Sequence, residues 1–153
     1  MEIHELNKRP NIEQNIKLNR KFIQFEKLIF ELKTKEIPNE IVIFINKNLE
    51  EINSLSYSEK ELKKQINKTQ TKILKLIEKE LSLVTKNHYR NTWFILGMAI
   101  GVGICMSIGS SSGNTSLLAV GIPLGFTIGI AIGTSKDKKA KDNGLQLDIE
   151  IKN

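Results

Sequence analysis

Apolar and polar residues alternate at helical spacing up to about residue 90, and from Trp93 to Thr134 the polar positions nearly vanish. In the first half Leu18, Phe22, Phe25, Ile29 and Leu32 step by four and three residues, which predicts a helix from Asn11 to about Lys35 with one buried stripe. Ile16, Ile23 and Phe30 widen that stripe, as for a helix packed in a bundle. Pro38 and Asn39 break the pattern, and Asn39 is placed to cap a second helix from Glu40 to about Asn53, which carries Val42, Ile45, Leu49 and Ile52. The run Ile41–Ile45 is β-branched and has strand propensity, but the helical period continues beyond it, so a helix is expected. Ser58 and Glu61 form a capping box, with Tyr57 and Leu62 as its hydrophobic staple. The third helix then runs through Leu62, Ile66, Ile73, Leu76, Ile77, Leu83 and Val84, and no breaker separates it from Trp93. Residues 1–10 read as a frayed lead-in.

The second half contains two apolar segments, 92–108 and 115–134, around the polar turn Gly109–Ser116. As helices they would span about 26 and 30 Å, close to the roughly 30 Å of a bilayer core. Gly97, Gly101, Cys105 and Gly109 recur every fourth residue in the first; Gly121, Gly125, Gly129 and Gly133 do so in the second. Such spacing lines small residues along one face, where two backbones can approach closely. The expected pairs, equidistant from Thr115, are Gly97 with Gly133, Gly101 with Gly129, Cys105 with Gly125 and Gly109 with Gly121. Packing within one chain and packing between neighbouring copies, as a homo-oligomer, both fit the rows. Pro123 removes a helical donor and is expected to bend the second span. The helix should then continue to about Asn143 and stop at Gly144. Residues 145–151 alternate like a short strand, and a lone strand either finds a partner or stays disordered.

The fold expected is therefore all-α: about three helices in a region 1–90, a transmembrane hairpin over 91–135, and a basic tail over 136–153. A buried soluble hairpin would also be apolar, but a soluble helix keeps a polar face and these segments show none. The chain has 23 Lys+Arg against 17 Asp+Glu, a formal charge of +6. The cations beside the spans, Lys86 and Arg90 before them and Lys136, Lys138, Lys139 and Lys141 after, point to an anionic membrane surface rather than nucleic acid. Trp93, Arg90, Lys136, Lys138 and Lys139 are the expected interface anchors, and the turn has no cation, so both termini are expected on the cytoplasmic side. Lys64, Lys68, Lys72, Lys75 and Lys79 read as a solvated face, with contact to anionic lipid headgroups as the alternative. Met1–Pro10 does not resemble a signal peptide. The wealth of Ile, Lys and Asn resembles proteins of AT-rich bacteria.

Chemistry is sparse. His4 and His88 are isolated, and the single cysteine, Cys105, forms neither a disulfide nor a metal cluster. Gly109–Gly113 has no lysine after it and is not a phosphate loop. Serines 110–112 lack a nearby His or Lys as base, and the spans hold no Asp, Glu, Lys, Arg or His for a proton relay or ion coupling. No catalytic residue, cofactor or metal ligand is expected, and no enzymatic activity.

Residues 93–144, with GMAIGVGICMSIG (97–109), GIPLGFTIGIAIG (121–133) and the basic exit TSKDKKAKDNG (134–144), resemble the glycine-zipper membrane proteins of bacteria. The resemblance implies an architecture, with Cys105 departing from an all-glycine row. The function expected is a non-enzymatic inner-membrane protein whose hairpin anchors a cytoplasmic helical domain that meets a protein partner. The alternative is a pore-forming, holin-like hairpin, for which only Cys105, Ser107 and Thr127 offer polar lining.

Overall fold

The computed structural model describes residues 1–7, 9, 12–54, 58–112 and 118–151. They are mainly helical, with almost no strand, and divide into two compact units: residues 1–84 with 147–153, and residues 85–146. The expected staple residue Tyr57 and most of the polar turn lie outside the described residues.

The first unit begins with an extended arm, a 3-10 turn at Ile12–Gln14, and then α1 (Ile16–Lys33), α2 (Asn39–Ser54) and α3 (Glu59–Leu81). Asn15 caps α1 by accepting the Leu18 N–H at 3.1 Å. The core is built from the expected stripes, with Phe25 and Leu32 of α1, Ile45 and Leu49 of α2, and Ile66, Ile73 and Ile77 of α3 fully buried, and Leu28, which the expected stripe of α1 did not include, joins them. Ile41–Ile45 is helical, as its continuing period required. At the head of α3, Ser58 and Glu61 make the reciprocal capping box. Hydrogen bonds from Ser58, the hydroxyl first and the backbone N–H second, hold the Glu61 carboxyl below its ordinary value.

Four expectations for this unit are corrected. Ile16, Ile23 and Phe30 do not widen the buried stripe: they are 74%, 42% and 66% exposed. Asn39 does not cap α2; its side-chain oxygen accepts from the Met1 amine at 3.2 Å, and the first turn is closed on the Pro38 carbonyl. Over residues 1–7 the lead-in is not frayed. Asn46 accepts from the His4 N–H at 2.8 Å and donates to the Glu2 carbonyl at 2.9 Å. Asn53 repeats the arrangement on Asn7 and Glu5, both at 2.9 Å. Ile3 and Leu6 are buried between these clamps, so the arm pairs its Glu2 and Glu5 carbonyls and its His4 and Asn7 N–H groups with side chains of α2. Finally, α3 does not run on toward Trp93. Ser82 adopts the left-handed conformation (φ 55°), the Leu83 N–H returns to the Ile77 carbonyl, and Leu83 and Val84 enter the core.

The chain passes between the units at β1 (Val84–Thr85) and β2 (Gln146–Leu147), which pair with each other. The tail thus finds a strand partner for two of its residues, and Leu147 and Ile149 are buried. The second unit is a pair of helices, α4 (His88–Ser112) and α5 (Leu118–Asp142), of 25 residues each. The expected stop at Gly144 is present: at φ 71° it lets the Leu145 N–H reach the Ala140 carbonyl and its own N–H reach that of Lys141. α5 continues through Pro123 as one helix.

Candidate functional site

The second unit reverses the usual burial order. Gly97, Gly101, Gly109, Gly121, Gly125, Gly129 and Gly133 are buried, and Cys105 is half-buried. Around them Ile100, Ile104 and Ile128 are each more than half exposed, as are Leu124 and Met106. The exposed surface is apolar over most of its length. His88–Gly109 and Ala119–Asp142 are both long and apolar enough to cross a membrane.

The glycines allow backbone to lie on backbone. A methyl group on Gly97 would collide with the Gly125 carbonyl oxygen and sit 3.0 Å from the Gly129 Cα; on Gly101 it would sit 2.5 Å from the Gly121 carbonyl oxygen. Gly125 in turn lies on the Gly97 carbonyl and Gly129 on that of Trp93. Both rows therefore meet within one chain. The expected symmetric pairing is corrected: Gly97 nests between Gly125 and Gly129, Gly101 between Gly121 and Gly125, and Gly133 meets Arg90 instead of Gly97. Cys105 lies against Gly121, its sulfur occupying the space a Gly121 side chain would need. Nesting in the gaps brings the helices closer than glycine on glycine in eclipsed rungs, as ridges fit into grooves. It also displaces the helices by about six residues, or roughly 9 Å, from the symmetric register.

A residue that the periodicity reaches but the charge pattern conceals completes this unit. Counting four more from Gly133 gives Asp137, which lies among lysines and is buried. Its two carboxylate oxygens accept the N–H groups of Tyr89 and Arg90 at 3.0 and 2.9 Å. Those are N–H groups of the first turn of α4, which have no partner within their own helix and carry the positive end of its dipole. Asn87, just before α4, has a left-handed backbone (φ 60°), and the cap comes from α5. Of the expected anchors, Trp93 and Lys136 meet, with the Lys136 ammonium 5.5 Å from the Trp93 ring centre and 5.8 Å from that of Tyr89. Arg90 takes part through its backbone. Lys138 and Lys139 are exposed on the last turns of α5 and belong to no such cluster.

The arrangement holds two helices together and offers little for chemistry. Ser107 and Thr127 donate their hydroxyls to the Gly103 and Pro123 carbonyls of their own helices, both at 2.9 Å. A groove of about 260 Å³ beside the seam, lined by Trp93, Ile100, Ile104, Leu124, Ile128 and Ile132, is almost wholly apolar. Among the described residues no three His, Cys, Asp or Glu side chains converge to hold a metal ion. No family model, no curated protein and no solved structure matches the chain.

Proposed function

We propose that this chain is a non-enzymatic integral membrane protein, and that its glycine-lined hairpin anchors the helical first unit at the cytoplasmic face of a bacterial inner membrane. The observation that carries the reading is the reversed burial of the second unit. Fully burying a large apolar side chain contributes roughly 1.5–3 kcal/mol. Twelve such side chains of the two helices, Phe94 to Ile132, are between 36% and 60% exposed. Leaving them in water would forfeit on the order of 10 kcal/mol, comparable to the whole net stability of a domain. In lipid that cost disappears, while helix pairing must come from close packing, which the glycines supply. The hydroxyls of Ser107 and Thr127 are engaged within their helices, which favours an anchor over a water-lined pore.

Topology is the decisive experiment. Cysteine replacing Ser111 in a Cys105→Ala background is expected to react with an impermeant thiol reagent added outside intact cells, and cysteine replacing Lys47 only after the membrane is opened. The opposite pattern reverses the orientation, and extraction of the full chain by alkaline carbonate removes the anchor reading altogether.

A further inference from the structure

The bundle of the first unit leaves one side of α1 uncovered, and that side carries Ile16, Ile23 and Phe30, which are 74%, 42% and 66% exposed. Seven-residue steps drift only about 20° around a helix, so the three side chains form one nearly straight stripe. Arg20 and Lys27 each follow one of the isoleucines by four residues, about 40° farther round, and both are exposed. Lys17 extends this basic flank; on the other flank Glu26 is followed by Lys33, whose ammonium pairs with Glu5 at 3.1 Å. Partial burial, and then the charges of Lys63 and Arg20, lower the Lys21 ammonium below its ordinary value of 10.5.

We propose that this face of α1 docks on an anionic lipid surface, with Ile16, Ile23 and Phe30 at the boundary of headgroups and acyl chains and Arg20 and Lys27 on lipid phosphates. The inference rests on the membrane-anchor reading, which keeps a bilayer surface at high local concentration. An apolar stripe flanked by cations is what an interfacial helix needs. The lysine face of α3, at Lys64, Lys68, Lys72, Lys75 and Lys79, is exposed but carries no exposed large apolar side chain to insert. A second copy suits the α1 face poorly. Residues 19 and 26, three after the isoleucines, are Asn and Glu where a coiled-coil seam needs apolar side chains. Self-pairing would also bring Arg20 and Lys27 toward their own equivalents.

The test uses the full chain reconstituted into vesicles of phosphatidylcholine, with and without phosphatidylglycerol. A polarity-sensitive fluorophore is attached to Ile23→Cys in the Cys105→Ala background, and to Lys47→Cys as the reference on α2. With anionic vesicles at low salt the probe at 23 is expected to shift to the blue and to be quenched by spin-labelled lipid, while the probe at 47 is not. Arg20→Glu with Lys27→Glu should reduce the docked fraction about tenfold or more, and high salt should weaken docking in the unaltered protein. A probe at 23 that stays aqueous, or that responds equally in neutral vesicles or in the charge-reversed variant, overturns the proposal. A blue shift already present in detergent, in a dimeric chain, assigns the face to a second copy and also overturns it. Carbonate extraction of the same vesicles separates the two readings: a resistant chain with an aqueous probe keeps the anchor and loses the docking, and an extracted chain loses both.

Discussion

The two units of this chain solve the packing problem in opposite ways. In the first, Phe25, Leu28, Ile45 and Ile66 fill the space between helices, and lysines and glutamates face outward. In the second, glycine backbone lies on backbone along the seam, with Cys105 and a stacked Phe94–Phe126 pair as side-chain contacts, and isoleucines face outward. The difference teaches what each contact is worth in each solvent. In water, removing large apolar side chains from contact with it drives assembly. In lipid that drive is absent, and two helices gain by approaching until their backbones touch. On the membrane reading proposed above, the same isoleucine is thus a structural element in α2 and solvent-compatible surface in α4.

The largest effect should come from breaking the second strategy. Gly125→Leu places a branched side chain on the Gly97 backbone, whose carbonyl has no way to withdraw. It is expected to cost more than about 3 kcal/mol and to separate α4 from α5, read as loss of α4–α5 energy transfer in detergent. Ala131→Leu on the exposed side of α5 should leave that transfer unchanged. Gly121→Ala sharpens the point, since it meets the Cys105 side chain; Cys105→Gly should rescue it, and equal destabilisation of the single and double variants would disprove the contact.

The same deletion in both units comes next. Ile45→Ala in the first unit should cost about 2–5 kcal/mol in chemical denaturation followed by circular dichroism. Ile104→Ala, 55% exposed in the second, should cost less than about 0.5 kcal/mol in detergent or lipid. Similar losses at both positions would mean that the second unit also relies on water exclusion.

Asp137→Ala ranks third. It strips the cap from α4 and should cost about 1–2 kcal/mol, with faster hydrogen exchange at the Tyr89 and Arg90 amides as the local signature. The smallest change is a gain. The Thr69 hydroxyl is buried without a hydrogen-bond partner, so Thr69→Val should stabilise the first unit by about 1 kcal/mol, seen as a raised denaturation midpoint.

Much of the architecture was legible in the sequence because it depends on neighbours three or four residues apart. The stripes of α1 to α3, the capping box at Ser58 and the stop at Gly144 are all local signals. So is the small-residue spacing of α4 and α5. What escaped depends on partners distant in sequence. The glycine register follows from nesting one row into the gaps of the other, and a count from the turn does not contain that. Asp137 reads as one acid among lysines until its partners at Tyr89 and Arg90, nearly fifty residues away, are known. Ser82 ends α3 without glycine or proline, through a left-handed backbone favoured by the burial of Leu83 and Val84 behind it. The exposure of Ile16, Ile23 and Phe30 was hidden for a further reason: periodicity says which residues share a face, and only the number of neighbours says how wide a face is covered.

The asparagine clamps of α2 make the arm a vernier. Asn39, Asn46 and Asn53 are seven residues apart on the helix, and they engage the Met1 amine and the His4 and Asn7 amides, three apart. Seven helical residues rise about 10.5 Å, and three residues of a polyproline-type chain would rise about 9.3 Å, so the two scales stay within about 1 Å per mark. Side-chain amides read backbone and ignore sequence, so the clamps alone would accept a slip by any whole number of residues. The buried Ile3 and Leu6, also three apart, break that degeneracy. A slip of one residue would bring Glu2 and Glu5, or His4 and Asn7, to their buried positions. Insertion of a single residue between Ile3 and Leu6 should therefore release half of the arm, whereas insertion of three residues ending in leucine directly after Ile3 should let it lock again.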